Sequence, residues 1–161
     1  MKNKSWWNYL SEDQQDLLEE SAVLLEREEQ HGPDIFHDYA FIVFPAAKAY
    51  EGFLKKLFLD LGFIGLEQYE GDHFRIGKAL NPSLPARFQN EDWAWEKLAN
   101  FCQGEELPQL LWDTWKESRN LIFHWFPKHE NFISLFEAKD RINMIVEAID
   151  RSFLKCKFVT S

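Results

Sequence analysis

The chain has 161 residues, 45% of them hydrophobic and 16% aromatic, with a formal net charge of −9. That length suits one domain with a real core. The excess of acid excludes a broad electrostatic grip on nucleic acid.

Other bounds follow from the ends and the cysteines. No apolar run approaches the ~18–20 residues that span a bilayer. The opening Met1-Lys2-Asn3-Lys4-Ser5-Trp6-Trp7 lacks the apolar stretch of a signal peptide. Cys102 and Cys156 are the only cysteines and form no metal or redox spacing, so two lone thiols in a reducing cytoplasm are expected. Charge is uneven: residues 1–34 hold nine acidic and three basic side chains, residues 35–161 eighteen and fifteen. A local phosphate site in the second part stays open, and the acidic beginning suits a basic partner.

Ser11-Glu12-Asp13-Gln14 predicts a capping box, with Ser11 as N-cap and Gln14 reaching back. The helix it opens runs to about His31, with Leu17, Leu18, Leu24 and Leu25 on one side and dense acid on the other. Gly32-Pro33 ends it. A second helix is expected over about 34–61. Its apolar positions leave little polar surface before Lys55, which makes it the central, mostly buried helix. Pro45 should kink it, and Gly62 stops it.

Residues 62–90 read as an irregular connection punctuated by glycine and proline, with His73, Arg75, Lys78 and Arg87 as its basic residues. A short helix is expected over about 91–102. Another starts near Pro108 and carries Leu110, Leu111, Trp115 and Ile122. Pro127 disfavours helix at Phe126. The last helix, about 134–155, carries Leu135, Ile142, Ile145, Val146, Ile149 and Phe153 at helical spacing. No segment alternates like a strand. The expected fold is all-α: an antiparallel bundle of four main helices plus a short one, in a single domain over 1–161.

Chemistry concentrates in Arg119-Asn120-Leu121-Ile122-Phe123-His124. Arginine offers a permanent charge and a planar fork of donors that matches a phosphate. Histidine exchanges a proton near neutral pH, and asparagine can hold either group. The Arg–His spacing alone is common; the adjacent asparagine makes it more specific. By themselves these residues also read as a solvated arginine near a helix end with a histidine at the core edge. On one regular helix Arg119 and His124 would point about 140° apart. They share a small site only if the turn opens before Pro127, or if two copies face each other. Asn120 and His124 share a face.

Glu51 is the second outlier. A lone carboxylate in the apolar run Ala46–Leu61 wants a partner, and Arg119 is a natural one; the alternative is a glutamate at a helix edge or capping a loop amide. His124 and His129 lack a third ligand, so no zinc site is expected. There is no glycine-rich phosphate loop, and Ser118 has no triad around it. Trp93, Trp95, Trp112 and Trp115 read as core; Trp125 and Phe126, beside the motif, are the candidates for a base-stacking role.

Arg119-Asn120 followed by His124 resembles the arginine–histidine motif of HEPN-domain proteins, all-helical bundles that include many dimeric ribonucleases of toxin–antitoxin and antiphage systems. Ala49-Tyr50-Glu51-Gly52-Phe53-Leu54-Lys55-Lys56-Leu57 with the later motif looks most like the HEPN domain of RNase LS-type toxins. The likeness in helix order covers roughly residues 34–155, and its specific motifs fewer than twenty residues. Those toxins carry further N-terminal domains, whereas this chain starts almost directly with its helices. A related HEPN branch has a modifiable tyrosine two residues after the histidine; here that position is Phe126, so that control is not expected.

The resemblance implies metal-independent RNA cleavage with no cofactor, by attack of a 2′-hydroxyl on the adjacent phosphate. It assigns His124 to proton transfer, Arg119 to transition-state charge, Asn120 to orienting the phosphate or His124, and Glu51 to holding Arg119 or tuning the proton transfer. Lys55 and Lys128 are candidates for flanking phosphates. The implied partners are RNA, a second copy with the motif at the interface, and an antitoxin protein, with no membrane. A non-catalytic HEPN module that binds nucleotide or RNA, or scaffolds a partner, is the second expectation. An unrelated helical adaptor is the third.

Overall fold

The N-terminal boundary of the first long helix is set by side chains that satisfy otherwise orphaned backbone groups. Ser11 Oγ accepts from the Gln14 N–H at 3.3 Å, and Gln14 Oε1 accepts from the Ser11 N–H at 3.2 Å. This reciprocal box opens α1, Glu12–His31. Gly32, at φ 96°, closes it with its N–H on the Glu28 carbonyl.

The computed structural model describes residues 1–32, 35–125, 127 and 131–155, with the backbone alone at Lys155. Its remaining elements are α2 (Ala40–Asp60), α3 (Leu66–Glu70), α4 (Ile76–Ala79), α5 (Trp95–Phe101), α6 (Glu106–Trp115), a π-helical turn (Lys116–Asn120) and α7 (Leu135–Lys155). Short 3-10 turns cover Trp7–Tyr9 and Ala86–Phe88. Among the described residues every regular element is helical, and no helix is long and apolar enough to cross a membrane.

α2 is the axis of the core. Ile42, Val43, Ala46, Ala47, Ala49, Tyr50, Phe53, Leu54, Leu57 and Phe58 are all buried, against α1 on one side and α7 on another. Burial pushes the Tyr50 hydroxyl far above its ordinary pKa, so it stays a neutral donor, at 3.1 Å from the Leu111 carbonyl. Pro45 lies inside this helix, where it removes one donor and crowds the turn before it. Ser21 of α1 bonds the turn beside this proline. Its buried hydroxyl accepts from the Ala46 N–H at 2.8 Å and donates to the Ile42 carbonyl at 2.8 Å, the two groups that would otherwise pair within the helix.

Helices α1 and α2 approach closely at Gly52. A Cβ added there would come within 2.5 Å of Gln14 Nε2. The N-terminal segment is fastened to α7: buried Trp6 donates its indole N–H to Asp150 at 2.7 Å, and Lys4 pairs with the same carboxylate. α7 opens on a second reciprocal cap. Glu137 accepts from the Ser134 N–H and hydroxyl, both at 2.8 Å, and donates its own N–H to Ser134 Oγ at 3.2 Å.

Three sequence expectations change. α2 begins at Ala40 rather than near residue 34, because Asp38 and Tyr39 take up the backbone donors ahead of it. Asp38 Oδ1 accepts from the Ala40 N–H, and the Tyr39 hydroxyl accepts from Ile35 and Phe36. Residues 62–90 are not wholly irregular, since they contain α3 and α4, each too short to register as a hydrophobic period. Cys102, which caps α5, is disulfide-bonded and so is not the lone thiol expected. Phe126, Lys128, His129 and Cys156 lie outside the described residues.

Candidate functional site

α6 does not run straight into the motif. After Trp115 the chain widens into a π turn, marked by the Leu121 N–H on the Lys116 carbonyl at 2.9 Å, an i→i−5 bond. A local cause is visible. The buried Ser118 hydroxyl donates to the Thr114 carbonyl at 2.5 Å and so competes with the backbone donor that a regular helix would aim there. A single α-type bond, from the Phe123 N–H to the Arg119 carbonyl, follows before the chain turns away.

The wide turn is clamped between two helices by ion pairs. Arg119 Nη2 lies 2.9 Å from Glu51 Oε2 on α2, while Glu117 Oε2 lies 3.2 Å from Arg141 Nη2 on α7. The arginine sought by the isolated carboxylate in α2 is therefore Arg119. Its guanidinium also rests over the Trp115 ring, 4.5 Å from the centroid. The Arg119 and Glu51 side chains stay 36% and 29% exposed, so the pair faces solvent rather than being sealed in the core. A guanidinium carries two donor nitrogens beyond the one that meets Glu51, so its fork can meet a phosphate while it is held.

His124 is exposed and lines a shallow pocket with Asp38, Phe123, Trp125, Asn131 and Phe132. Asn131 shapes this loop by donating to the Leu121 carbonyl at 3.0 Å and the His124 carbonyl at 3.3 Å. Asp38 ties the pocket to the start of α2, since its Oδ1 accepts from both Ala40 and Ile133. Asn120 is exposed at the end of the π turn. Lys55 sits one turn beyond Glu51 on α2 and is partly exposed.

The structure thus joins Glu51 to Arg119 directly and sets His124 in a pocket floored by residues that sequence reading passed over. Asp38 carried a usable signal, as a capping-type residue just ahead of an apolar helix. Asn131 carried none, because its role depends on where the loop after the motif folds back. Among the described residues no group of three His, Cys, Asp or Glu is placed to hold a metal ion.

Comparison with known proteins adds no family. A scan against family models finds no match, and searches of the curated proteins and of the solved structures find none. The functional reading rests on the residues themselves.

Proposed function

We propose that the protein is a HEPN-like endoribonuclease, built on an antiparallel bundle in which α1, α2, α6 and α7 are the main helices, and acting as the toxin or effector of a toxin–antitoxin or antiphage system. The observation that carries the reading is the ion pair between Glu51 and Arg119, which holds a phosphate-binding fork at the solvent-facing edge of α2, five residues ahead of an exposed histidine.

In this reading the 2′-hydroxyl of the substrate ribose attacks the adjacent phosphorus. The P–O5′ bond breaks, leaving a 2′,3′-cyclic phosphate and a 5′-hydroxyl. His124 transfers the proton, as base toward the 2′-hydroxyl or as acid toward the leaving oxygen. Arg119 donates hydrogen bonds to the non-bridging oxygens as negative charge builds. Glu51 is a positioning residue that fixes the guanidinium, and Asn120 orients the phosphate or the imidazole. Lys55 and Lys128 are the candidates for contacts with the flanking phosphates. Two copies meeting at the motif would place a histidine on each side of one phosphate and divide the acid and base roles. An antitoxin would act by covering this edge or the acidic face of α1.

Substituting Arg119→Ala and His124→Ala tests the assignment. Each is expected to abolish RNA cleavage while circular dichroism and the unfolding midpoint stay near wild type. Cleavage at the wild-type rate in both variants would refute it. One observation favours a second reading, a non-catalytic HEPN module that binds nucleotide or RNA or scaffolds a partner: the net charge of −9, with Arg119 itself already neutralised by a carboxylate. That reading predicts RNA or nucleotide binding that survives in the wild type without any cleavage.

A further inference from the structure

α2 is largely buried, and over residues 41–51 what it leaves to solvent is a single stripe. Phe41, Phe44 and Lys48 are exposed, and Glu51 and Lys55 partly so, at successive spacings of three or four residues. Between Phe41 and Glu51 every other residue is buried. Over 14 residues this stripe runs about 21 Å.

Its composition is unusual for a solvent face. The apolar members are two aromatic rings, Phe41 and Phe44, followed by the cation Lys48. Lys48 Nζ lies 5.9 Å from the centroid of the Phe44 ring. Phe44 meets Phe123 edge-on at 5.4 Å, which joins the stripe to the His124 pocket. Trp125, next to that histidine, is 77% exposed and presents its indole to solvent. Within the stripe Glu51 is already bound to Arg119. Rings, cation and motif therefore form one continuous path.

A path of flat rings interrupted by a cation matches a single-stranded nucleic acid. Unpaired bases present π faces, and each base is joined to the next by an anionic phosphate. A duplex hides those faces in its own stack. Resting on the ribonuclease reading, we propose that this stripe is a track for the unpaired nucleotides flanking the cleaved bond. Bases stack on Phe44 and Trp125, and a phosphate meets Lys48. The substrate is then an unpaired segment of RNA, and the locality of the track is why an acidic protein can hold it. The gain per base on such platforms is largely independent of base identity, so the track selects strandedness more than sequence.

Fluorescence anisotropy on the full chain tests this with a labelled, single-stranded 2′-O-methyl RNA, which has no free 2′-hydroxyl and cannot be cut, against the same strand annealed to its complement. Wild type is expected to prefer the single strand. Phe44→Ala and Trp125→Ala should each weaken it about tenfold, with Phe44→Trp restoring binding. Lys48→Ala should weaken all sequences alike and lower the salt dependence by about one ion. Equal binding of single strand and duplex, or variants that bind like wild type, would overturn the track. So would light scattering in which Phe44→Ala turns a dimer into a monomer, because the stripe would then be covered by a second copy. The two readings fail separately. Wild type that cuts RNA while its binding ignores Phe44 and Trp125 loses the track alone. Wild type that binds through them and leaves RNA intact keeps the track and loses the nuclease.

Discussion

The same chemical device appears in two regions of the molecule with opposite results. Where α1 packs on α2, the Ser21 hydroxyl reaches across to the Ala46 N–H and the Ile42 carbonyl beside Pro45, and the helix runs on through the proline. Where α6 meets the motif, the Ser118 hydroxyl turns back on the Thr114 carbonyl of its own helix, and the ladder widens into a π turn. A hydroxyl from a neighbour accompanies a continuous helix; a hydroxyl from within competes with the ladder. The first region ends with its polar groups satisfied inside the core. The second ends with Glu117 and Arg119 held by different helices and with His124 and Trp125 turned outward. The continuous helix builds the scaffold, and the widened one builds the candidate site.

The contrast is broken most sharply by changing the fork that the wide turn presents. Arg119→Lys keeps a charge but loses the planar donors. Cleavage of RNA by this variant is expected to fall about 100-fold or more, measured as initial rate at saturating substrate, with thermal stability unchanged. A fall in stability with an unchanged rate would move Arg119 to a structural role.

On the scaffold side, Ser21→Ala removes the hydroxyl that bonds the Ala46 N–H and the Ile42 carbonyl beside Pro45. Urea unfolding should show a loss of about 1–3 kcal/mol, with cleavage per folded molecule intact. Glu51→Gln removes the carboxylate charge that Arg119 meets. Because both side chains are about a third exposed, the stability cost should be under about 1 kcal/mol, while the rate falls and KM changes little. Equal losses in both quantities would make Glu51 part of the scaffold after all.

The smallest effect belongs to Gly52→Ala. The new methyl group would displace the Gln14 side-chain end and disturb its bond to Ser11, yet alanine is the better helix former. The two effects are each about 1 kcal/mol and oppose one another, so the unfolding midpoint should barely move. A loss of several kcal/mol would mean that α1 and α2 cannot shift apart there.

What the sequence revealed follows the range of the forces involved. The Ser11–Gln14 box, the end of α1 at Gly32 and the burial of α2 rest on contacts a few residues apart or on simple apolar periodicity, and all were readable. The tie between Glu51 and Arg119 was readable for another reason: a carboxylate stranded in an apolar run advertises its need for a cation. The start of α2 was misplaced because Asp38 and Tyr39 spend their polar atoms on local backbone donors, which hydrophobic spacing does not register. The π turn was invisible, since Ser118 widens the ladder only because its hydroxyl is buried against Thr114. The same holds for Asn131 and Lys48, whose relation to the motif depends on how the loop after Arg119 folds across the start of α2.

The central claim is that Arg119 and His124 cleave RNA without a metal. Its most direct test incubates wild type and His124→Ala with a mixed RNA pool in EDTA and determines the chemical ends of the fragments. Fragments from wild type alone, ending in 2′,3′-cyclic phosphate and 5′-hydroxyl, are the predicted result. Intact RNA with both proteins, or equal cleavage by both, would contradict it.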